Sequence, residues 1–400
     1  MPDAEPPAAQ PELPSAYTGG KRRGRTRRTH TVAKVLLATV LTLGMVSGLS
    51  VAFLYRHLNG NLDVENHDPQ LGDDRPTKVA VAGPREPLNI LVMGDDTREG
   101  AGNGLDSESG GGSDTTILFH VSADQQSAYG VSIPRDSLVD RPTCFAKDGE
   151  EIPGETDAMW NAAYSVGGAA CTQRQLEQVT GIRVDNYVVV DFNGFKGMVD
   201  AVGGVEVCVP RDLDSDKGDI HIPAGTHTLD GDESLDYIRI RYGVGDGTDL
   251  GRIRRQQGFL ASLAGKVMSS DMLARPDKLV RFLDAATKSL TTDFESIKEL
   301  AEIGLQLKDI GPSRIRFITV PWEYSTRRPG RVEWLPAAQT LWDRIRLDEP
   351  LGSLRDGSIG VGDVPSSPST ESPSAPSEPS SPAPSVGADA ADLENAGLCT

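Results

Sequence analysis

Leu88-Asn89-Ile90-Leu91-Val92-Met93, closed by Gly94, is a short apolar run with a breaker at its end. A run of this length and composition predicts a strand buried inside a sheet. Residues 115–121 and 128–133 have the same character, as do 187–190, 205–209 and 315–320. The intervening segments carry apolar residues three and four apart. They predict helices from Thr172 to a stop at Gly181, around 195–202, and over 252–268, 276–290, 297–310 and 335–345. Strands mixed with crossover helices define an α/β layered domain with a mostly buried central sheet. The Gly-rich, acidic stretch 99–113 predicts a loop.

Outward from this core the chain changes character. Residues 1–34 are Pro/Ala-rich and then basic, with Arg22, Arg23, Arg25, Arg27, Arg28 and Lys34. An uncharged apolar segment follows at 35–55, about 21 residues and roughly 31 Å as a helix, enough to cross a bilayer. A cleaved signal peptide is the alternative, but its apolar core is shorter, about 7–15 residues. Basic residues before the segment place the N-terminus in the cytoplasm and the bulk of the chain outside the cell membrane. Residues 56–87, polar and punctuated by Pro69, Pro76 and Pro84, predict a stalk; 88–348 form the domain; 349–400, rich in Gly, Ser and Pro, predict a flexible tail.

The formal net charge is −18. That argues against a nucleic-acid partner, whose phosphates require a basic field. Any anion must meet a local basic pocket. The four cysteines, Cys144, Cys171, Cys208 and Cys399, all follow the apolar segment. An even count outside the membrane suggests disulfides. Of the possible pairings, Cys144 with Cys171 is preferred because both flank a loop-rich insert. The histidines are scattered and no zinc motif occurs.

Five short segments carry candidate chemistry. Asp96 and Arg98 follow the first strand, where sheet proteins place ligands. Asp114 opens the next strand; two carboxylates there would suit a magnesium ion, though each taken alone reads first as a loop or cap residue. Pro134 ends the third strand and throws Arg135 onto the same rim, where an ion pair with Asp136 or another acid is the plain alternative. Arg239 and Arg241 alternate with apolar neighbours; extended backbone would aim both at one face, whereas a helix would separate them. Asp249 is a candidate N-cap, after which Arg252, Arg255, Gln256 and Phe259 share one helical face, with Arg254 solvated. Arginines around a helix start favour an anion. Together they describe a metal-assisted pyrophosphate site.

These segments resemble the LytR–CpsA–Psr family of membrane-anchored cell-wall enzymes. The resemblance runs through Asn89 to Gly94 with Asp96 and Arg98, Ser113-Asp114-Thr115, Ser132-Ile133-Pro134-Arg135-Asp136, Asn161-Ala162-Ala163-Tyr164 before Gly167-Gly168, Phe192-Asn193-Gly194-Phe195, Leu229-Asp230-Gly231, Arg239-Ile240-Arg241, and Asp249 through Gln257. It departs at Gly112, where the family has an arginine, and at Trp160, where it has an aliphatic residue. The resemblance implies an α/β/α domain around a central mixed sheet, behind a single transmembrane helix. It implies transfer of a polyprenyl-pyrophosphate-linked glycan onto a peptidoglycan hydroxyl, with release of polyprenyl phosphate. By matching position, Asp96 and Asp114 would hold Mg²⁺, with Mn²⁺ as a substitute. Arg135, Arg239, Arg241, Arg252 and Arg255 would clamp the pyrophosphate, Gln256 would anchor it, and Arg98 would orient Asp96 or reach the phosphate. Asp249 would orient an arginine or take the proton of the attacking hydroxyl. A pyrophosphate hydrolase and a non-catalytic wall-polymer scaffold or sensor are the alternatives. The cytoplasmic segment is too short for a DNA-binding domain.

Overall fold

The computed structural model describes residues 27–95, 112–210, 212–215, 220–240, 249–361 and 363. Helix α1, Arg27–Asn61, contains the segment Thr31–Asn61, long and apolar enough to cross a membrane.

Eight strands form the central sheet: β1 Asp63–Val64, β2 Leu88–Asp95, β3 Ser113–Val121, β4 Ala128–Ile133, β5 Asn186–Asp191, β6 Leu290–Thr292, β7 Ile315–Thr319 and β8 Ile359–Gly360. Their spatial order is β1-β6-β5-β2-β3-β4-β7-β8. Strands β2, β4, β5 and β7 run one way and β3 runs the other, so the sheet is mixed. One face carries Leu91, Met93, Leu118, Val131 and Tyr187. These pack against α2 (Ala162–Thr180) and α8 (Pro336–Arg346) through Leu176, Leu341 and Trp342. The other face carries Val121, Ala128, Ile315 and Phe317. These meet α5 (Asp249–Met268) and α7 (Ile297–Ile310) through Ala261 and Ile310. Successive side chains of a strand point to opposite faces, which is why the apolar runs feed two cores at once. The result is the expected α/β/α layering.

Three further helices, α3 (Phe192–Val202), α4 (Gly231–Arg239) and α6 (Pro276–Lys288), complete the layer around Phe195, Val199 and Phe259. A separate antiparallel ribbon, Val205–Val209 with Gly225–Leu229, joins that core, so the apolar run at 205–209 lies outside the central sheet.

Several boundaries differ from the sequence expectation. Residues 56–87 are fastened to the domain at several points. Leu58 and Leu71 are buried, β1 pairs in parallel with β6, and Arg75 grips the buried Glu177 through Nε at 2.9 Å and Nη2 at 2.6 Å. Prolines and charges there hide short buried anchors that periodicity over a longer window does not register. The domain also continues past 348, with Leu351 and Val361 buried and β8 in the sheet. Helix α2 starts at Ala162, ahead of Thr172, and is broken at Gly167 and Gly168, whose φ of 63° at Gly168 suits only glycine well. It ends at left-handed Gly181, as expected. Residues 290–292 form β6 at the end of what reads as one helix.

Cys144 and Cys171 form a disulfide closing a separation of 27 residues, and Cys208 is also disulfide-bonded. Chain-entropy arguments give a bridge of that span about 3 kcal/mol. Replacing Cys144 and Cys171 together by serine should lower the thermal midpoint by several degrees without changing the far-ultraviolet dichroism; an unchanged midpoint would show that the packing of Cys144 against α2 already suffices.

Candidate active site

The reversal of β3 decides the site. Its amino end lies on the rim where β2, β4, β5 and β7 end, so Asp114 stands among residues that follow strands. Asp114 Oδ1 lies 2.5 Å from Arg135 Nη1, and Oδ2 lies 3.2 Å from Arg252 Nη1. Arg135 comes from the Pro134 turn after β4. Arg252 comes from the first turns of α5 and is only 2% exposed. The two arginines brace opposite oxygens of one carboxylate.

Burial by itself pushes the Asp114 carboxyl up. The charges of Arg252, Arg135 and, less strongly, Arg239 outweigh it, so the group is held below its ordinary value. A carboxyl lowered on folding contributes stability above its unfolded pKa, and that contribution is lost as pH falls through the lower folded value. Asp114 is therefore an anion at neutral pH. A carboxyl-resolved NMR titration should place its midpoint below about 3.9, the unperturbed aspartate value.

Arg239 reaches the rim differently from the extended arrangement considered above. The segment 231–239 is helix α4. A capping box between Asp230 and Glu233 starts it, and Gly231 lets it sit against the Lys196 backbone, where a Cβ would approach to 2.6 Å. Arg239 is its last residue, with Cζ 4.7 Å from the Phe192 ring at the start of α3. Local capping overrides the period-two alternation over Tyr237 to Arg239. Ile240, the C-cap, leaves the helix, and Arg241 lies outside the described residues, as do Asp96 and Arg98.

Asp249 is the first residue of α5. Arg255 is 1% exposed and donates to the Ile240 carbonyl, securing the end of α4 just before Arg241. Gln256 is half-buried, with Nε2 3.4 Å from the Ile238 carbonyl. Arg254 was expected in solvent; it is half-buried and donates to the Gly357 carbonyl at 2.8 Å, because the chain beyond 348 returns over α5.

The sequence reading passed over two contributors, Gln257 and Asp95, and named Asp136 only as a plain ion-pair partner of Arg135, which it is. Gln257, fully buried, donates to Ser132 Oγ at 2.9 Å and Thr319 Oγ1 at 3.0 Å, pinning α5 to the ends of β4 and β7. Its spacing of five from Arg252 put it off the face being traced. Asp136 continues the charge chain, 3.6 Å from Arg135 Nε and 2.7 Å from Arg331 Nη1. Asp95, the last residue of β2, faces Tyr164. Burial, then the Asp95 charge and hydrogen bond, push that phenol well above its usual range.

The fit to a divalent cation rests on Asp114. Each oxygen accepts one guanidinium hydrogen bond, and a carboxylate has about four lone-pair positions, so acceptor capacity remains. Among the described residues no group of three or more His, Cys, Asp or Glu could hold a metal.

The carboxyl rim of the mixed sheet thus gathers Arg135, Arg239 and Arg252 about Asp114, a concentration of positive charge in a chain whose net charge is −18. The sequence model of the LytR_cpsA_psr family matches residues 54–342, and the chain belongs to that family. It is 31% identical over 334 residues to the cell wall biosynthesis protein LcpA of Corynebacterium glutamicum, covering 77% of this chain and 62% of that protein. It is 31% identical over 274 residues to the polyisoprenyl-teichoic acid–peptidoglycan teichoic acid transferase TagU of Halalkalibacterium halodurans, covering 66% of this chain and 81% of that one. The crystal structure of Bacillus subtilis TagV matches with a TM-score of 0.51 at 27% identity, over 66% of this chain and 99% of that chain. The chain spans less than two thirds of the length of the first matched relatives, 62% of LcpA and 52% of LcpB from the same organism.

Proposed function

We propose that the domain is a phosphotransferase that moves a polyprenyl-pyrophosphate-linked glycopolymer onto peptidoglycan. An acceptor hydroxyl oxygen attacks the glycan-bearing phosphorus. The bond from that phosphorus to the oxygen of the polyprenyl phosphate breaks, and polyprenyl phosphate leaves. The hydroxyl proton passes to a base, for which Asp249 is the candidate. The observation that carries this reading is the bracing of Asp114 between Arg135 and Arg252, with Arg239 close enough to act on its charge.

Positioning and charge stabilisation supply most of the rate in such transfers. Arg135, Arg239 and Arg252, joined by Arg241, would bind and orient the pyrophosphate. Arg255 would support the arginines through the Ile240 carbonyl. Asp114 and Asp96 would hold Mg²⁺, which when bound neutralises phosphate charge. The names of TagU and TagV relatives, polyisoprenyl-teichoic acid–peptidoglycan teichoic acid transferases, support donor and acceptor of these classes. The apolar helix α1, the basic residues before it and the disulfide at Cys144 support a membrane anchor with the domain outside the cell.

The test is incubation of the full chain with a polyprenyl-pyrophosphate glycan, magnesium and a peptidoglycan oligosaccharide. The expected products are a phosphodiester-linked adduct and an equal amount of polyprenyl phosphate. Phosphate release indifferent to the acceptor, with no adduct, would make the protein a hydrolase. Magnesium should also raise the thermal midpoint of the wild type and leave that of Asp114→Asn unchanged.

A further inference from the structure

Of the arginines gathered about Asp114, Arg252 and Arg239 stand on helices, whereas Arg135 stands on the turn after β4. A turn by itself holds a long side chain loosely. The brace comes from a β-ribbon late in the chain, Trp322–Tyr324 paired with Val332–Trp334. Ser137 N donates to the Pro134 carbonyl at 3.0 Å and closes the turn. Val332 N then donates to the Asp136 carbonyl at 3.2 Å, and Ser137 and Val332 pair in parallel. Trp334 Nε1 donates to Ser137 Oγ at 3.1 Å, and its ring lies against Trp160 and Trp342, with centroids 5.9 and 5.5 Å away. Turn and ribbon are therefore one packed unit.

The charges on that unit alternate. Arg331, at the entry to the second strand of the ribbon, donates from Nη1 to Asp136 Oδ1 at 2.7 Å. Asp136 Oδ2 stands 3.6 Å from Arg135 Nε, an ion pair longer than a hydrogen bond. Arg135 in turn meets one oxygen of Asp114, and Arg252 meets the other. Arg331, Asp136, Arg135, Asp114 and Arg252 thus form a row that begins and ends on a guanidinium, three positive charges to two negative. Without Arg331 the row would be balanced. Asp136, whose side chain is 16% exposed, would then lean on Arg135, close the 3.6 Å gap and draw the guanidinium away from Asp114.

We propose that Arg331 is a positioning residue for Arg135 and acts through Asp136. It holds the Asp136 carboxylate off Arg135, so that the Arg135 guanidinium keeps its plane against Asp114 and its charge for an anion on the rim. The identity of that anion, a pyrophosphate, rests on the transferase reading above; the relay rests on the ion pairs. The side chain of Arg331 is 37% exposed and lies 195 residues from Asp136 in sequence, so neither burial nor a local motif marks it. The relay uses one nitrogen of Arg331 on one oxygen of Asp136, a contact that a lysine can also make.

The experiment is a double-mutant cycle of Arg331→Ala and Asp136→Asn on the full chain in detergent micelles, with inorganic pyrophosphate and magnesium titrated by calorimetry. Arg331→Ala should weaken pyrophosphate binding about fivefold, the scale of a partly exposed ion pair, and Arg331→Lys should recover most of that loss. Asp136→Asn should hold or raise the affinity, and in that background Arg331→Ala should cost less than about twofold. Equal losses in both backgrounds would mean that Arg331 acts by its own charge or through the fold, and overturn the relay. The ligand-free protein gives a second readout. The Arg135 Nε–H resonance should shift in Arg331→Ala, while that of Arg254, held on the Gly357 carbonyl, stays in place. An unmoved Arg135 resonance also overturns the relay. If Arg331→Ala fails to fold, Arg331→Met, which keeps an apolar stem, carries both measurements. Wild type that binds no pyrophosphate, with the Arg135 resonance still moved by the substitution, overturns the transferase reading and leaves the relay standing.

Discussion

Asp114→Asn should reduce glycopolymer transfer by at least about a hundredfold, the scale of losing one preorganised electrostatic group, while the protein still folds. The side-chain amide keeps the shape of the carboxylate and loses its charge. One of its two oxygens becomes an NH₂, which must face either Arg135 or Arg252 as a donor against a donor. Arg135 or Arg252 then loses its brace, and the site loses the negative charge that the proposed divalent ion would meet. The same change makes the rim more positive, so affinity for inorganic pyrophosphate should hold or rise as turnover falls. That split separates a catalytic loss from a collapsed pocket. Turnover above about a third of wild type, with the glycan donor saturating, would remove Asp114 from the chemistry. In cells, a scaffold would keep its function in this variant.

The second large effect is at Arg252. Arg252→Lys should be nearly as damaging as Arg252→Ala, with both losing about two orders of magnitude in kcat/KM and the lysine form recovering less than tenfold over alanine. A guanidinium presents five donors in a fixed plane, whereas an ammonium presents three from one atom. At 2% exposure, held 3.2 Å from Asp114, the side chain has little room to re-aim. A lysine could satisfy Asp114 or a pyrophosphate oxygen, but not both in the geometry of a fork. Near-normal turnover in the lysine form would mean that charge alone suffices there and that the clamp lies elsewhere. The comparable substitution at Arg241 belongs to the same test.

The central sheet was legible because its strands are buried on two faces, so β2, β3, β4, β5 and β7 each announce themselves as apolar runs. Segments whose burial depends on a few side chains were not. Leu58 and Leu71 anchor a stretch that reads as polar, and β6 and β8 are too short to show a period. The arginines were visible by type, yet their environments were not. The alternation around Arg239 pointed equally to a strand, and only the capping box at Asp230 decides for a helix. Arg255 and Arg252 share a helical face in sequence, but three residues along a helix also carry a side chain from the rim to the backbone of Ile240. Gln257 and Arg331 escaped notice because their partners are remote in sequence, 125 residues from Gln257 to Ser132 and 195 from Arg331 to Asp136.

The reversed direction of β3 has an architectural payoff. The chain leaves the rim at Asp95 and returns to that rim at Ser113, so the connection between them is a detour with fixed endpoints. Insertions or deletions along the detour leave the ladder between β2 and β3 in register and the aspartate–arginine brace in place. The length of chain between those endpoints can therefore differ without moving Asp114, whose place is set by the β2–β3 ladder.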